Sequence, residues 1–109
     1  MSNSKPGRTA AILGYCTILG CFIAITMNME PKNAFARLHI RQAFGIHLIY
    51  HALATYFNLT NMEVLPIWSI LWVIYLFGVC YGLFYAIKNR EQLLPWLGAN
   101  FQKWFTFIP

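Results

Sequence analysis

The chain has 109 residues, of which 59% are hydrophobic, 17% aromatic and 10% charged, against about 25% charged residues in a soluble domain. Eight Lys and Arg oppose three Asp and Glu, for a net charge of +5. A soluble chain this short must cover a modest core with polar surface, so the scarcity of polar residues excludes an ordinary soluble domain and predicts one all-α, polytopic membrane domain over 1–109.

Three apolar stretches of helix length follow one another. The first, "AAILGYCTILGCFIAITM", holds no charge and reaches span length over about residues 9–28, since about 20 apolar residues cross about 30 Å of hydrocarbon. No A-x-A-like site closes it and it is long for a signal peptide, so a retained span is expected. Cys16, Gly20 and Ala24 recur at four-residue spacing, and small side chains let membrane helices approach closely. Gly20 and Ala24 are therefore predicted packing residues. The three cysteines, Cys16, Cys21 and Cys80, fall at membrane depth with no metal-ligand spacing and read as small hydrophobes.

The segment "NAFARLHIRQAFGIHLIYH" carries most of the specific chemistry. Asn33 can cap a helix beginning at Ala34. Phe35, Leu38 and Phe44 would anchor an amphipathic turn, with Arg37 and Arg41 one turn apart on its polar side. A second span is expected over about 40–59, with Arg41 snorkelling to the headgroups. His39, Ala43, His47 and His51 form a stripe that descends into the bilayer, where polar side chains face a bundle interior or a pore. Three readings of the stripe compete. Neutral histidines hydrogen-bond internally, to Tyr15, Tyr50, Tyr56 or backbone carbonyls; or the stripe lines a polar path; or it ligates a metal or haem. No Cys, Asp or Glu joins the histidines, and all three lie on one helix, so no metal and no cofactor is expected. Glu30, Glu63 and Glu91 sit at helix ends, leaving no buried acid to orient a histidine as a base. Ser2, Ser4 and Ser69 lie in no nucleophile motif, and there is no Gly-rich phosphate loop. An enzyme is not expected, nor a nucleic-acid partner.

The third stretch, Leu65–Ile87, is uncharged. Thr60 and Glu63 form a capping pair before it, and Pro66 falls near its start, where a missing N–H matters least. Trp68 and Trp72 suit the outer headgroup level, Tyr81 and Tyr85 the inner. Gly78, Gly82 and Ala86 form a second small-residue seam, facing the bundle or a partner subunit. The tail, about 93–109, is broken by Pro95 and Gly98 and rich in aromatics: Trp96, Phe101, Trp104, Phe105 and Phe107. An aromatic segment in the cytoplasmic interface is expected, with a plug over the bundle or a partial fourth span as alternatives. With three crossings, the 30–43 link and the tail share a side that holds six Lys and Arg, against Lys5 and Arg8 on the other. The positive-inside rule then gives a multi-pass membrane protein with its N-terminus outside and its C-terminus cytoplasmic.

"NAFARLHIRQAFGIHL" resembles the signature of the Tic20-like / DUF4870 family of small helical membrane proteins. That signature is an aromatic residue followed by H-x-R/K-Q/E-A at the opening of a transmembrane helix, here Phe35 with His39, Arg41, Gln42 and Ala43. "AIKNREQLLPWLGANFQKWFTFI" is similar to the family's basic tail, with Ala86, Lys88, Asn89 and Pro95 in matching places. Chloroplast members are similar to a component of the inner-envelope protein-import channel. The resemblance implies a small non-enzymatic subunit of the cell inner membrane, accessory to a transport or protein-translocation complex. Its partners would be membrane lipids and other membrane subunits or further copies of itself. Phe35, Arg37, His39, Arg41, Gln42, His47 and His51 are the interaction or gating candidates. The alternative is a homo-oligomeric small transporter or channel that uses the histidine stripe as its polar path.

Overall fold

The computed structural model describes residues 7–29, 33–61, 65–88, 90–94 and 97–108. These form five helices: α1 (Arg8–Cys16), α2 (Ile18–Met27), α3 (Ala34–Leu59), α4 (Leu65–Ile87) and α5 (Gly98–Trp104). Among the described residues there is no strand. The all-α expectation therefore stands.

The continuous helix expected over 9–28 does not form. Thr17 is extended (φ −151°, ψ 169°), and its side chain accepts the Gly20 N–H at 2.9 Å, so Thr17 caps a new helix instead of continuing the old one. A hydroxyl that can bond nearby backbone offers the chain this alternative to a helix interior. The two halves then fold side by side. A Cβ built on Gly14 would lie 3.7 Å from the Cβ of Ala24, and one on Gly20 would meet the Leu13 carbonyl oxygen at 2.5 Å. Small residues thus allow a helical hairpin. At nine and ten residues, each arm rises only about 15 Å, too little to cross a bilayer.

α3 starts as the sequence predicts: the Asn33 side chain accepts the Ala36 N–H at 2.9 Å. With 26 residues it is about 39 Å long. It ends at Thr60, and Asn61 (φ 56°) makes the left-handed turn, a conformation that asparagine tolerates better than most residues. Glu63 of the expected capping pair lies outside the described residues, as do Glu30, Lys32, Asn89, Pro95 and Trp96. Among the described residues one helix, Pro66–Ile87, is long and apolar enough to cross a membrane. α3 has the length but carries Arg37, His39, Arg41, Gln42, His47, His51 and Asn58.

Four helix ends meet at one end of the molecule. The Asn28 side chain accepts from Asn33 N–H (2.9 Å) and donates to the Asn33 carbonyl (3.2 Å). Gly7 packs against Asn33 and Ala36, and Arg8 Nε donates to the Ile87 carbonyl at 3.2 Å. This basal end collects the starts of α1 and α3 and the ends of α2 and α4. Beyond the hairpin, α3 and α4 continue as a pair, which accounts for the 48 Å long axis over a 24 × 23 Å cross-section. The core lies in the basal half, around Tyr15, Cys21, Ala24, Ile40 and Ala43.

After α4 the chain turns back and lies on α3. Phe101 and Ile108 are buried, and a Cβ on Gly45 would sit 2.6 Å from the Phe101 ring. Phe44 packs edge-on against Phe105 at 5.0 Å. α5, with seven residues, is too short for a crossing.

Candidate functional site

The helix-opening motif and the tail, far apart in sequence, are in contact. His39 and Gln42 lie on the face of α3 that meets α1 and the returning chain, and both are fully buried. His39 Nε2 bonds the Arg90 carbonyl at 2.7 Å, and Nδ1 bonds the Tyr15 hydroxyl at 2.7 Å. A carbonyl can only accept, so Nε2 carries the proton and Nδ1 accepts from Tyr15. Gln42 Nε2 in turn donates to the Tyr15 oxygen at 2.9 Å, while its Oε1 accepts the Leu94 N–H. The chain of bonds runs from the Leu94 amide through Gln42, Tyr15 and His39 to the Arg90 carbonyl. Phe35 closes it from below with its ring edge-on to His39 at 4.8 Å.

Arg41 faces the other side of the tail. Nε and Nη2 donate to the Ile108 carbonyl (3.3 and 3.0 Å), Nη1 to Gln102 (3.4 Å) and Nη2 also to Thr106 (3.2 Å). A guanidinium presents donors in a fixed fork, which suits the carbonyls left open beyond the end of a helix. Gln102 answers with a bond to the Leu38 carbonyl at 2.8 Å. Arg37 is half-buried beside this clamp.

The histidine stripe divides into two parts. His47 is buried, with Nε2 at 3.0 Å from the Gly14 carbonyl and Nδ1 at 2.9 Å from the Tyr75 hydroxyl. The break at Thr17 explains it. The last carbonyls of α1 lose their i+4 partners, and His47 supplies one from α3. His51 is exposed and touches Tyr50 edge-on at 5.1 Å. Of the three predicted readings, internal bonding describes His39 and His47. Tyr15 and backbone carbonyls serve as partners; Tyr50 stacks on Tyr75 at 4.2 Å, and Tyr56 is exposed. Tyr75 and the backbone of Arg90 and Leu94 are partners that the sequence reading does not name. A tyrosine in an uncharged apolar stretch is itself the signal, because its hydroxyl needs a partner when buried.

The predicted packing residues all face their own chain. Gly20 and Ala24 join the two arms of the hairpin. Gly78 sits against Ile46, a Cβ on Gly82 would overlap the Tyr15 ring, and Ala86 is fully buried. An open apolar groove of about 690 Å³ runs between α3, α4 and the tail, lined by Ile46, Tyr50, Tyr75, Gly78, Leu94 and Phe101.

Chemically, the cluster joins segments. Both ends of the Gln42–Tyr15–His39 chain terminate on backbone groups, and both nitrogens of His39 and of His47 are engaged. Among the described residues no buried side-chain nitrogen or oxygen lacks a partner, and no three of His, Cys, Asp and Glu converge in a way that could hold a metal ion. Compared with protein-family models, with curated proteins and with solved structures, the chain matches none.

Proposed function

We propose that this chain is a small integral membrane subunit, accessory to a transport or protein-translocation complex, in which α3 and α4 cross the bilayer and the α1–α2 hairpin inserts from the cytoplasmic side without crossing. One observation carries the reading: polar and apolar groups are distributed inside out. His39, Gln42, His47 and Asn28 are buried, while Leu19, Phe22, Ile23, Ile70, Val73, Phe77 and Phe84 are each more than half exposed. Water would penalise this surface, whereas hydrocarbon favours it and requires polar groups to be satisfied internally. The bonded network at His39 and His47 meets that requirement.

The hairpin changes the orientation that the charges support. Placing the N-terminus outside needs an odd number of crossings, and two crossings return it to the side of the tail. Lys5 and Arg8 flank the start of α1; Lys32, Arg37 and Arg41 surround the start of α3; Lys88, Arg90 and Lys103 follow α4. All eight basic residues then belong to one side, which the positive-inside rule makes the cytoplasm. The accessory role draws on the family resemblance, whose two motifs are the two stretches that touch.

Alkaline carbonate washing of membranes, followed by co-purification in mild detergent, tests the proposal. The chain should remain in the carbonate pellet and bring down an unrelated subunit in fixed ratio. Release by carbonate would refute the membrane reading. Recovery of this chain alone would refute the accessory role.

A further inference from the structure

Beyond the hairpin, α3 has two unequal sides. Toward α4, Tyr50 stacks on Tyr75 (4.2 Å) and meets Trp72 edge-on (5.8 Å), and Phe57 meets Trp68 (5.9 Å). The opposite side carries Leu48, His51, Ala52, Thr55, Asn58 and Leu59, every one exposed. Their spacing of three and four residues is that of a helix-packing seam. The seam begins where the hairpin stops: His47, the last α3 residue bonded to α1, lies just before it.

We propose that this seam pairs with the same seam of a second copy of the chain, giving a parallel dimer about a two-fold axis along the membrane normal. This rests on the membrane reading above. Exposed His51 and Thr55 at membrane depth are unfavourable against lipid, and hydrogen bonds between helices are the usual remedy. Neutral His, Thr and Asn each both donate and accept, so each can bond its own symmetry mate. That self-complementarity is what a two-fold interface demands. Copies inserted from the same side run parallel, which brings His51 level with His51, Thr55 with Thr55 and Asn58 with Asn58. The seam holds no charged residue to repel its twin. Ala52 and Thr55 are small enough at its centre to let the two backbones approach. An unrelated subunit would have to supply a matching polar stripe of its own; a second copy already has one.

Oxidative cross-linking in native membranes tests the pairing. Thr55→Cys should give a disulfide-linked species of twice the chain mass, well above the unsubstituted chain with its native cysteines. Val73→Cys, on the exposed side of α4, should stay at that background. Adding His51→Leu should reduce the Thr55→Cys dimer several-fold. A dimer equal in all variants, or a product of another mass showing an unrelated subunit, would overturn the pairing. If the chain stays in the carbonate pellet yet Thr55→Cys gives no dimer, the pairing falls and the membrane reading stands. Release by carbonate removes both.

Discussion

The phenolic oxygen of Tyr15 accepts from Gln42 and donates to His39, and both partners are fully buried. Removing that oxygen strands a donor on one side and an acceptor on the other, each costing about 1–3 kcal/mol when left unpaired away from water. Tyr15→Phe should therefore lower stability by at least about 2 kcal/mol, seen as a reduced thermal midpoint in detergent. Tyr56→Phe, at an exposed ring, should leave the midpoint unchanged; equal midpoints for the two variants would refute the role given to Tyr15. At this scale the sequence is partly legible. His39, Arg41 and Gln42 stand out because polar residues are scarce, and internal bonding of neutral histidines is one of the outcomes the sequence predicts. Their partners are less legible. Which tyrosine reaches which ring depends on how helices are rotated against one another, and nothing local in the sequence fixes that rotation. His47 is the clearest case, since its bond to the Gly14 carbonyl exists only because α1 stops two residues short of Ile18.

α3 and α4 are the elements most readable from sequence, the one from Asn33 as a cap and the other from an uncharged run. The hairpin is the least readable. Its break contains no proline, and Thr17 is an acceptable residue within a helix; what favours the break is the close contact that Gly14, Gly20 and Ala24 allow once the arms are side by side. The four-residue spacing of Gly20 with Ala24 and of Gly78 with Gly82 marks seams but not their partners, which here are Leu13, Ile46 and Tyr15 of the same chain. The sequence predicts an interfacial tail, whereas its docking onto α3 draws on Arg41, a residue whose sequence position suggests the headgroups instead. Arg41→Lys keeps the charge but replaces the fork with one ammonium, so it cannot hold the Gln102, Thr106 and Ile108 carbonyls together. Hydrogen exchange should accelerate at amides across 98–108 in this variant. Arg37→Lys, outside the clamp, should leave those rates unchanged. Equal exchange in both variants would show that the tail is held by Phe101 and Ile108 packing alone.

For the whole molecule, the decisive quantity is the number of crossings. A straight first helix would carry Lys5 and Arg8 to the side opposite the other six basic residues, whereas the hairpin returns its start to Asn33 and its neighbours. The packing of Gly7 on Asn33 and the bond from Arg8 to the Ile87 carbonyl tie the first described residues to the start of α3 and the end of α4. No Lys or Arg lies in the 60–64 stretch, so two crossings would make the charge bias eight to none in place of six to two, and the positive-inside preference would strengthen accordingly. Single cysteines at Ser4, Asn61 and Glu91, labelled in sealed cells with a membrane-impermeant maleimide, separate the two arrangements. With two crossings and a hairpin, Asn61→Cys reacts from outside, while Ser4→Cys and Glu91→Cys react only after permeabilisation. With three crossings, Ser4→Cys joins Asn61→Cys on the outside. The unsubstituted chain supplies the background from Cys16, Cys21 and Cys80. External labelling of Ser4→Cys above that background would return the first stretch to a full crossing and break the bond pattern that gives His47 its place.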